Sequence, residues 1–394
     1  MGRTFWILFT AALVNKLGTM VGPFLPLWLA GPRWGLDDET ITRLLTAASA
    51  CALLGGPVGG FLADRLGRRW TLILSMGLNA LTLLLFPLAP VLPVLVGLML
   101  ARSFTNDMLR PANSAAVADV VPAELRPRAF GVLRIAINIG FGVGTFLGGL
   151  LATRSFGWLF VIDGSTALLA TLWLLLLFPE TRPAGPAPGA PAVPGAERAA
   201  PGAVGRFLVL CACGLVVSLI SSQLTSTFPL SLKRRGGAEV ESLYGTLMAL
   251  NALVVVVCQV PITRLIERLR PGPVLAAGAL CYGAGYGAVA LSVAPLPLAG
   301  AVVLLTLGEV LFFPLAGAVT AELAPAARRG RWFGWLMVAY GLGAILSPLL
   351  GGWVLTRWGD AALWACSPPL GLAAALGLLL FLRLQLHERA HTAG

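Results

Sequence analysis

The chain has 394 residues, of which 57% are hydrophobic and 11% charged; a soluble domain carries roughly 25% charged residues, so an ordinary soluble protein is excluded. The formal net charge is +11, but the cations sit in short clusters between apolar runs and form no patch or stripe, which argues against nucleic acid as a partner. Six cysteines lie in apolar segments without a CxxC pair, and His387 and His391 lie in the C-terminal tail, so no metal site and no bound cofactor is expected.

A spanning helix needs about 20 mostly apolar residues. Polar punctuation marks out twelve such segments. Six lie near 5–30, 41–63, 70–90, 92–118, 128–152 and 156–178, and six near 206–231, 241–266, 273–293, 297–322, 330–355 and 361–384. The first is too long for the apolar core of a signal peptide and reads as a retained helix. It contains Asn15, Lys16, Thr19, Pro23 and Pro26. A lysine halfway along an apolar helix either finds a partner, for which Asp107, Asp163 and Glu309 are available, or snorkels to the membrane face.

The loop after the second helix reads Gly59-Gly60-Phe61-Leu62-Ala63-Asp64-Arg65-Leu66-Gly67-Arg68-Arg69. Asp64, an anion at a helix boundary, is expected to pair with these arginines and with the positive end of a neighbouring helix. In the fourth helix Arg102, Asn106 and Arg110 fall within an arc of about 80°. With Asp107, this polar face either looks into a cavity or pairs internally, Asp107 and Arg110 being spaced for an i,i+3 ion pair. Asp119 belongs to the helix boundary. The fifth helix carries Arg134 and Asn138, then Gly140, Gly144, Gly148 and Gly149. Small residues at i,i+4 let helices approach closely.

Residues 179–205 include Pro183, Pro186, Pro188, Pro191, Pro194 and Pro201 with interleaved Ala and Gly, a composition that reads as an extended linker. The domains are therefore a six-helix bundle over 1–178, a linker over 179–205, and a second six-helix bundle with a short tail over 206–394. In the second bundle Gln223, Asn251 and Gln259 are candidate polar contacts. Glu309 is its one deep acid. It either binds and releases a proton as its hydration changes or makes a structural hydrogen bond to a neighbouring helix.

The halves repeat. A shift of 203 positions lays Pro26-Leu27 on Pro229-Leu230, Asp64-Arg65-Leu66 on Glu267-Arg268-Leu269, Ala118-Asp119 and Pro122 on Ala321-Glu322 and Pro325, and Gly148-Gly149 on Gly351-Gly352. The same shift places Glu309 over Asn106, Pro348 over Thr145 and Leu219 over Lys16. Two parallel six-helix repeats are an architecture of secondary transporters. Arginine clusters alternate with cation-poor loops, which places both termini in the cytoplasm; Lys233, Arg234 and Arg235 are the exception. The scarcity of lysine beside many arginines fits a bacterial source, and so a multi-pass protein of the bacterial inner membrane.

The loop from Gly60 to Arg69 resembles the signature loop of the major facilitator superfamily, Gly-x-Leu-Ala-Asp-Arg-x-Gly-Arg-Arg/Lys. Gly140-x-x-x-Gly144-Thr145-x-x-Gly148-Gly149 resembles its antiporter motif, with Thr145 where the family has proline. Asn15-Lys16-Leu17-Gly18-Thr19, the stretch Arg110-Pro111 to Asp119, and Gly308-Glu309 resemble the drug:proton antiporter branch. The resemblance implies an all-α integral membrane fold, the major facilitator fold, with twelve helices in two pseudo-symmetric six-helix bundles around a central cavity. It implies a conformational latch at Gly60, Asp64, Arg65, Gly67, Arg68 and Arg69, and helix packing at Gly140, Gly144, Gly148 and Gly149. Proton coupling would fall to Glu309, Asp107 and Arg102. Substrate contacts would come from Lys16, Asn106, Arg110, Arg134, Asn138, Gln223 and Asn251. Asp163, on a helix peripheral in that fold, is expected to matter less. The function implied is a proton-coupled secondary transporter working by alternating access and exporting small amphiphiles, with protons, lipid and a small-molecule substrate as partners and a monomer as the working form. The cations Lys16, Arg102, Arg110 and Arg134 suit the alternative, a carrier for a defined anionic metabolite, sugar or lipid. An enzyme is not expected, since the chain has neither an HExxH nor a GxSxG motif, and ATP driving is unsupported without a GxxxxGK[ST] loop.

Overall fold

A computed structural model describes residues 1–122, 125–181, 202–236, 239–266, 269–291, 294–324 and 329–392, with the backbone alone at 126–128, 329–331 and 381–392. Most of the linker, with Glu267, Arg268 and Pro325 of the repeated motifs, lies outside the described residues.

The described residues are helical almost throughout. The first predicted segment is split into α1 (Arg3–Leu17) and α2 (Val21–Leu29). Then come α3 (Asp38–Arg65), α4 (Arg68–Leu85), α5 (Leu92–Val120), α6 (Arg126–Ala152) and α7 (Phe156–Leu177). The seventh segment is also split, into α8 (Ala203–Ser221) and α9 (Phe228–Arg234). It is followed by α10 (Val240–Ile266), α11 (Pro271–Val289), α12 (Pro295–Leu323) and α13 (Arg329–Arg357). The last segment divides into α14 (Gly359–Ala365) and α15 (Ser367–Thr392). Ten of these segments are long and apolar enough to cross a membrane. The other two are α5, which carries Arg102, Asp107 and Arg110, and the Gly-rich α11.

Local chemistry sets the ends. Asp37 caps α3, its carboxylate accepting from Thr40 N at 3.0 Å. Contact with the Thr40 side chain and N–H holds this exposed carboxyl below its ordinary range. Each split helix restarts with proline inside its first turn, where the missing N–H costs no helical bond: Pro23 in α2, Pro229 in α9, Pro368 in α15.

The chain divides into two compact units. One comprises Met1–Gly185 with Gly236–Leu253; the other comprises Pro186–Arg235 with Val254–Gly394. In the first, α4 packs on α5 and α7, and α1 packs on α6 and α7; in the second, α11 packs on α12 and α15, and α8 packs on α13 and α15. These are the same pairings at equivalent positions, so the repeat read from sequence is also a repeat of packing. Pro111 inside α5 and Pro314 inside α12 occupy matching places.

In the first unit Phe5, Leu8, Leu72, Met76, Ala112, Ala116, Leu133 and Leu174 share one buried core. Leucines on the outer faces, including Leu81, Leu169, Leu176, Leu265 and Leu380, are exposed. Many large apolar side chains facing outward around polar interior positions is the distribution that lipid favours.

Candidate functional site

The site is built on the break in the first segment. After Leu17 the chain leaves the helix, and Met20 and Val21 begin α2 with two backbone N–H groups that have no helical partner. Asp163 of α7 supplies one. Its Oδ2 accepts from Met20 N at 3.3 Å and from Val21 N at 3.1 Å. The side chain is buried, at 3% exposure. A carboxylate at a helix N-terminus meets both the free donors and the positive end of the helix dipole. The low expectation placed on Asp163 is thus corrected: it caps a half-helix inside the membrane-spanning part. A lone acid in an otherwise apolar segment was the signal. Gly18 permits the approach, because a Cβ there would collide with Thr166 of α7.

Lys16, Arg102, Asp107, Arg110 and Asp163 gather around this break. Lys16 lies within electrostatic range of all four others. Arg102 interacts electrostatically with Asp163 and Asp107. A Cβ on Gly22, in the first turn of α2, would lie 3.5 Å from a terminal nitrogen of Arg102, so this guanidinium stands beside the capped helix end. The Nε of Arg102 is buried and has no hydrogen-bond partner among the described residues. Asp107 pairs with Arg110 at 3.3 Å, the i,i+3 geometry, with the arginine side chain 79% exposed. No ion pair to Lys16 or Arg102 occurs among the described residues. Asn106, one turn from Arg102, is half-buried.

The glycines of α6 serve two neighbours. A Cβ at Gly140 would lie 2.7 Å from Lys16 Cβ, one at Gly144 2.7 Å from Leu17 O, and one at Gly148 3.1 Å from the Phe24 ring. This face lets α6 lie against α1 and α2 and fixes the backbone that carries Lys16. Gly149 turns the other way: its Cβ would lie 2.7 Å from Glu241 O on the part of α10 that belongs to this unit, and a Cβ at Gly245 would lie 2.8 Å from Thr145 O. Thr145, fully buried, donates its hydroxyl back to Phe141 O at 2.8 Å, so it fills the family's proline position without opening the helix. Asn138 donates to Arg134 O on its own helix at 2.9 Å. Arg134 is not among the charges that act on Lys16. Asn251 is buried on α10.

The signature loop forms a tight polar knot. Arg68 donates to Asp119 at 2.8 Å, to Ala63 O at 2.9 Å and to Asp64 at 3.2 Å. Arg65 stacks over the Phe61 ring at 4.6 Å, and Arg69 donates to Leu175 O at 2.8 Å. One expectation changes. The positive end of α4 goes not to Asp64, whose side chain is 78% exposed, but to Glu180, which accepts from Arg68 N at 2.8 Å and Arg69 N at 3.2 Å. Gly67 sits at φ +95°, and a Cβ there would collide with the Glu180 carboxylate. Gly60 has Pro111 Cβ 3.9 Å from its Cβ position.

In the second unit Glu309 stands half-buried on α12, next to Gly308, where α12 meets Tyr282 of α11. Gln223 is buried in the turn between α8 and α9; its amide donates to Ser347 O at 3.1 Å and accepts from Thr227. Gln223 therefore joins α13 to this turn, with one amide N–H and one carbonyl lone pair left over. The basic loop also has an account. Arg234 donates to Leu355 O at 2.7 Å and Arg235 to Val289 O at 2.6 Å, while Asp360 receives Arg235, Ser231 and the Trp364 indole N–H. Arg234 and Arg235 thus fasten α9 to α11, α13 and α14. Arg33 does the same in the first unit, donating to Pro87 O and Ala89 O at 2.8 and 2.9 Å.

A sequence profile described as the Major Facilitator Superfamily matches residues 5–238 and again 210–393. This chain belongs to the major facilitator superfamily. It is 26% identical over 373 residues to the MFS-type transporter YhjO of Bacillus subtilis (strain 168), covering 94% of this chain and 90% of that one. It is 25% identical over 183 residues to the quinolone resistance protein NorA of Staphylococcus aureus, a match spanning 46% of this chain and 47% of NorA. A crystal structure of a POT family transporter in complex with 5-aminolevulinic acid superposes with a TM-score of 0.83 at 14% identity, covering 97% of this chain and 96% of that one. The major facilitator fold is therefore the fold of this protein. It is a multi-pass membrane protein and a secondary transporter of a small-molecule substrate, in a superfamily of transporters and not of enzymes.

Proposed function

We propose that this major facilitator protein is a proton-coupled carrier that works by alternating access and exports small amphiphilic compounds across the bacterial inner membrane. The observation that carries the reading is the group of ionisable side chains around the α1–α2 break, Lys16, Arg102, Asp107 and Asp163. Charge placed inside spanning segments is costly and marks ion or substrate pathways. Glu309 is the proposed proton carrier of the second unit, with Asp107 and Arg102 as its counterparts in the first. Export of amphiphiles is supported by the partial likeness to NorA, whose name records quinolone resistance. The signature-loop residues Gly60, Asp64, Arg65, Gly67, Arg68 and Arg69 are assigned to the cytoplasmic side as the conformational latch, with both termini on that side. The driving force is the inward proton gradient, each charge crossing about 100 mV contributing about 2.3 kcal/mol.

The test is transport of a fluorescent amphiphile in proteoliposomes under an imposed pH gradient. Glu309→Gln is expected to abolish gradient-driven transport while membrane insertion is unchanged. Transport by Glu309→Gln at the parent rate would remove Glu309 from the coupling path.

A further inference from the structure

We infer that the substrate carries an anionic group, a carboxylate or its equivalent, and that Lys16 and Arg102 bind it. The inference rests on the transporter reading and names the class of its substrate. Three cations, Lys16, Arg102 and Arg110, share the region of the α1–α2 break with two carboxylates, Asp107 and Asp163. Asp163 holds the Met20 and Val21 N–H groups. Asp107 holds Arg110. Lys16 and Arg102 are left without an ion pair among the described residues, and the Arg102 Nε is buried with no acceptor. The amino end of α2 also lies beside Arg102, with its first donors taken by Asp163.

Asp107 and Asp163 act on Lys16 and Arg102 only at a distance, and three cations outnumber two carboxylates here, so an incoming anion in direct contact is stabilised and an incoming cation is repelled. A guanidinium offers a planar fork that suits a carboxylate, and an ammonium adds a movable point charge beside it. Gly140 and Gly144 hold the Lys16 backbone against α6, so the ammonium is presented from a fixed stem. The apolar part of an amphiphile would then lie along neighbouring helix faces. The charge group selects the head and leaves the body open.

The experiment measures binding without a gradient, so that its failure is separate from failure of proton coupling. The full chain in lipid nanodiscs is screened by thermal stabilisation against matched triples, each with one aryl or alkyl body ending in a carboxylate, an amide or an ammonium. The carboxylate members are expected to bind about tenfold more tightly than their amides, with the ammonium members weakest. Lys16→Met and Arg102→Gln should each remove most of that difference. Arg102→Lys, which keeps the charge, should retain part of it even where Arg102→Gln fails to fold. Arg43→Gln, on the exposed face of α3 where Arg43 pairs with Glu39, should leave it intact. Equal or stronger binding of the amide or ammonium members would overturn the inference. So would the absence of binding by every carboxylate, or selectivity that survives both Lys16→Met and Arg102→Gln.

Discussion

Replacing Asp163 should loosen the first span in a graded way. Its carboxylate is the acceptor for two backbone donors, Met20 N at 3.3 Å and Val21 N at 3.1 Å, at a site where it is 3% exposed. Asp163→Ala leaves both N–H groups without that acceptor, and each buried unsatisfied donor costs about 1–3 kcal/mol, or about 2–6 kcal/mol for the pair before relaxation. Asp163→Asn keeps a carbonyl oxygen in place but exchanges charge-assisted bonds, about 1.5–3 kcal/mol each, for neutral ones of about 0.5–1.5; its loss should be near 1–3 kcal/mol. The expected order of stability is parent, then Asn, then Ala. Differential scanning fluorimetry of the purified protein in one detergent reads that order, with transport measured on the same preparations. Equal melting of parent and Asp163→Ala would refute the capping role. Equal melting of Asn and Ala would assign the effect to charge and not to the acceptor.

Further outcomes follow from the same geometry. Gly144→Val places side-chain atoms against Leu17 O, 2.7 Å from the Cβ position, and should cost about 1–3 kcal/mol or more through forced separation of α1 and α6; Gly97→Ala, where a Cβ meets nothing within 4 Å, is the control that should melt with the parent. Gly67→Ala combines a φ of +95° with a clash on Glu180 and should slow transport and lower the melting temperature, whereas Glu180→Ala, which uncaps α4, should cost about 1 kcal/mol or somewhat more. Asp360→Ala takes the carboxylate from Arg235, whose side chain is 9% exposed, and should be destabilising by about 3–5 kcal/mol; the same measurement on Asp360→Ala with Arg235→Met should recover part of that loss.

Hydropathy made the twelve segments legible, and their equivalent pairings in the two units follow the repeat that Pro26, Asp119 and Gly148 already displayed. The signature loop was legible as a motif, but its wiring was not. That Glu180, far along the chain from Gly67, caps α4 depends on where α7 ends in space. The break in the first span had local signs in Gly18 and Pro23. Its partner Asp163 lay on a helix that family analogy set aside, and no local pattern links residues 20 and 163. Gln223 read as a polar contact from composition; only the fold places Ser347 O and Thr227 around its amide. The cluster Lys233, Arg234 and Arg235 read only as an exception in the loop-charge pattern; the carbonyls that Arg234 and Arg235 bind, Leu355 O and Val289 O, are distant in sequence.

The interruption at Gly18 to Met20 also has a mechanical meaning. α1 and α2 each close their own hydrogen-bond ladder, so no helical bond runs across the interruption to resist bending. The nine residues of α2 form a short lever whose fulcrum is one carboxylate oxygen on a neighbouring helix. Its far end is held, by Trp28 packed on Phe160 and by Leu36 N donating to Leu29 O at 3.1 Å, so bending of this span concentrates at the interruption.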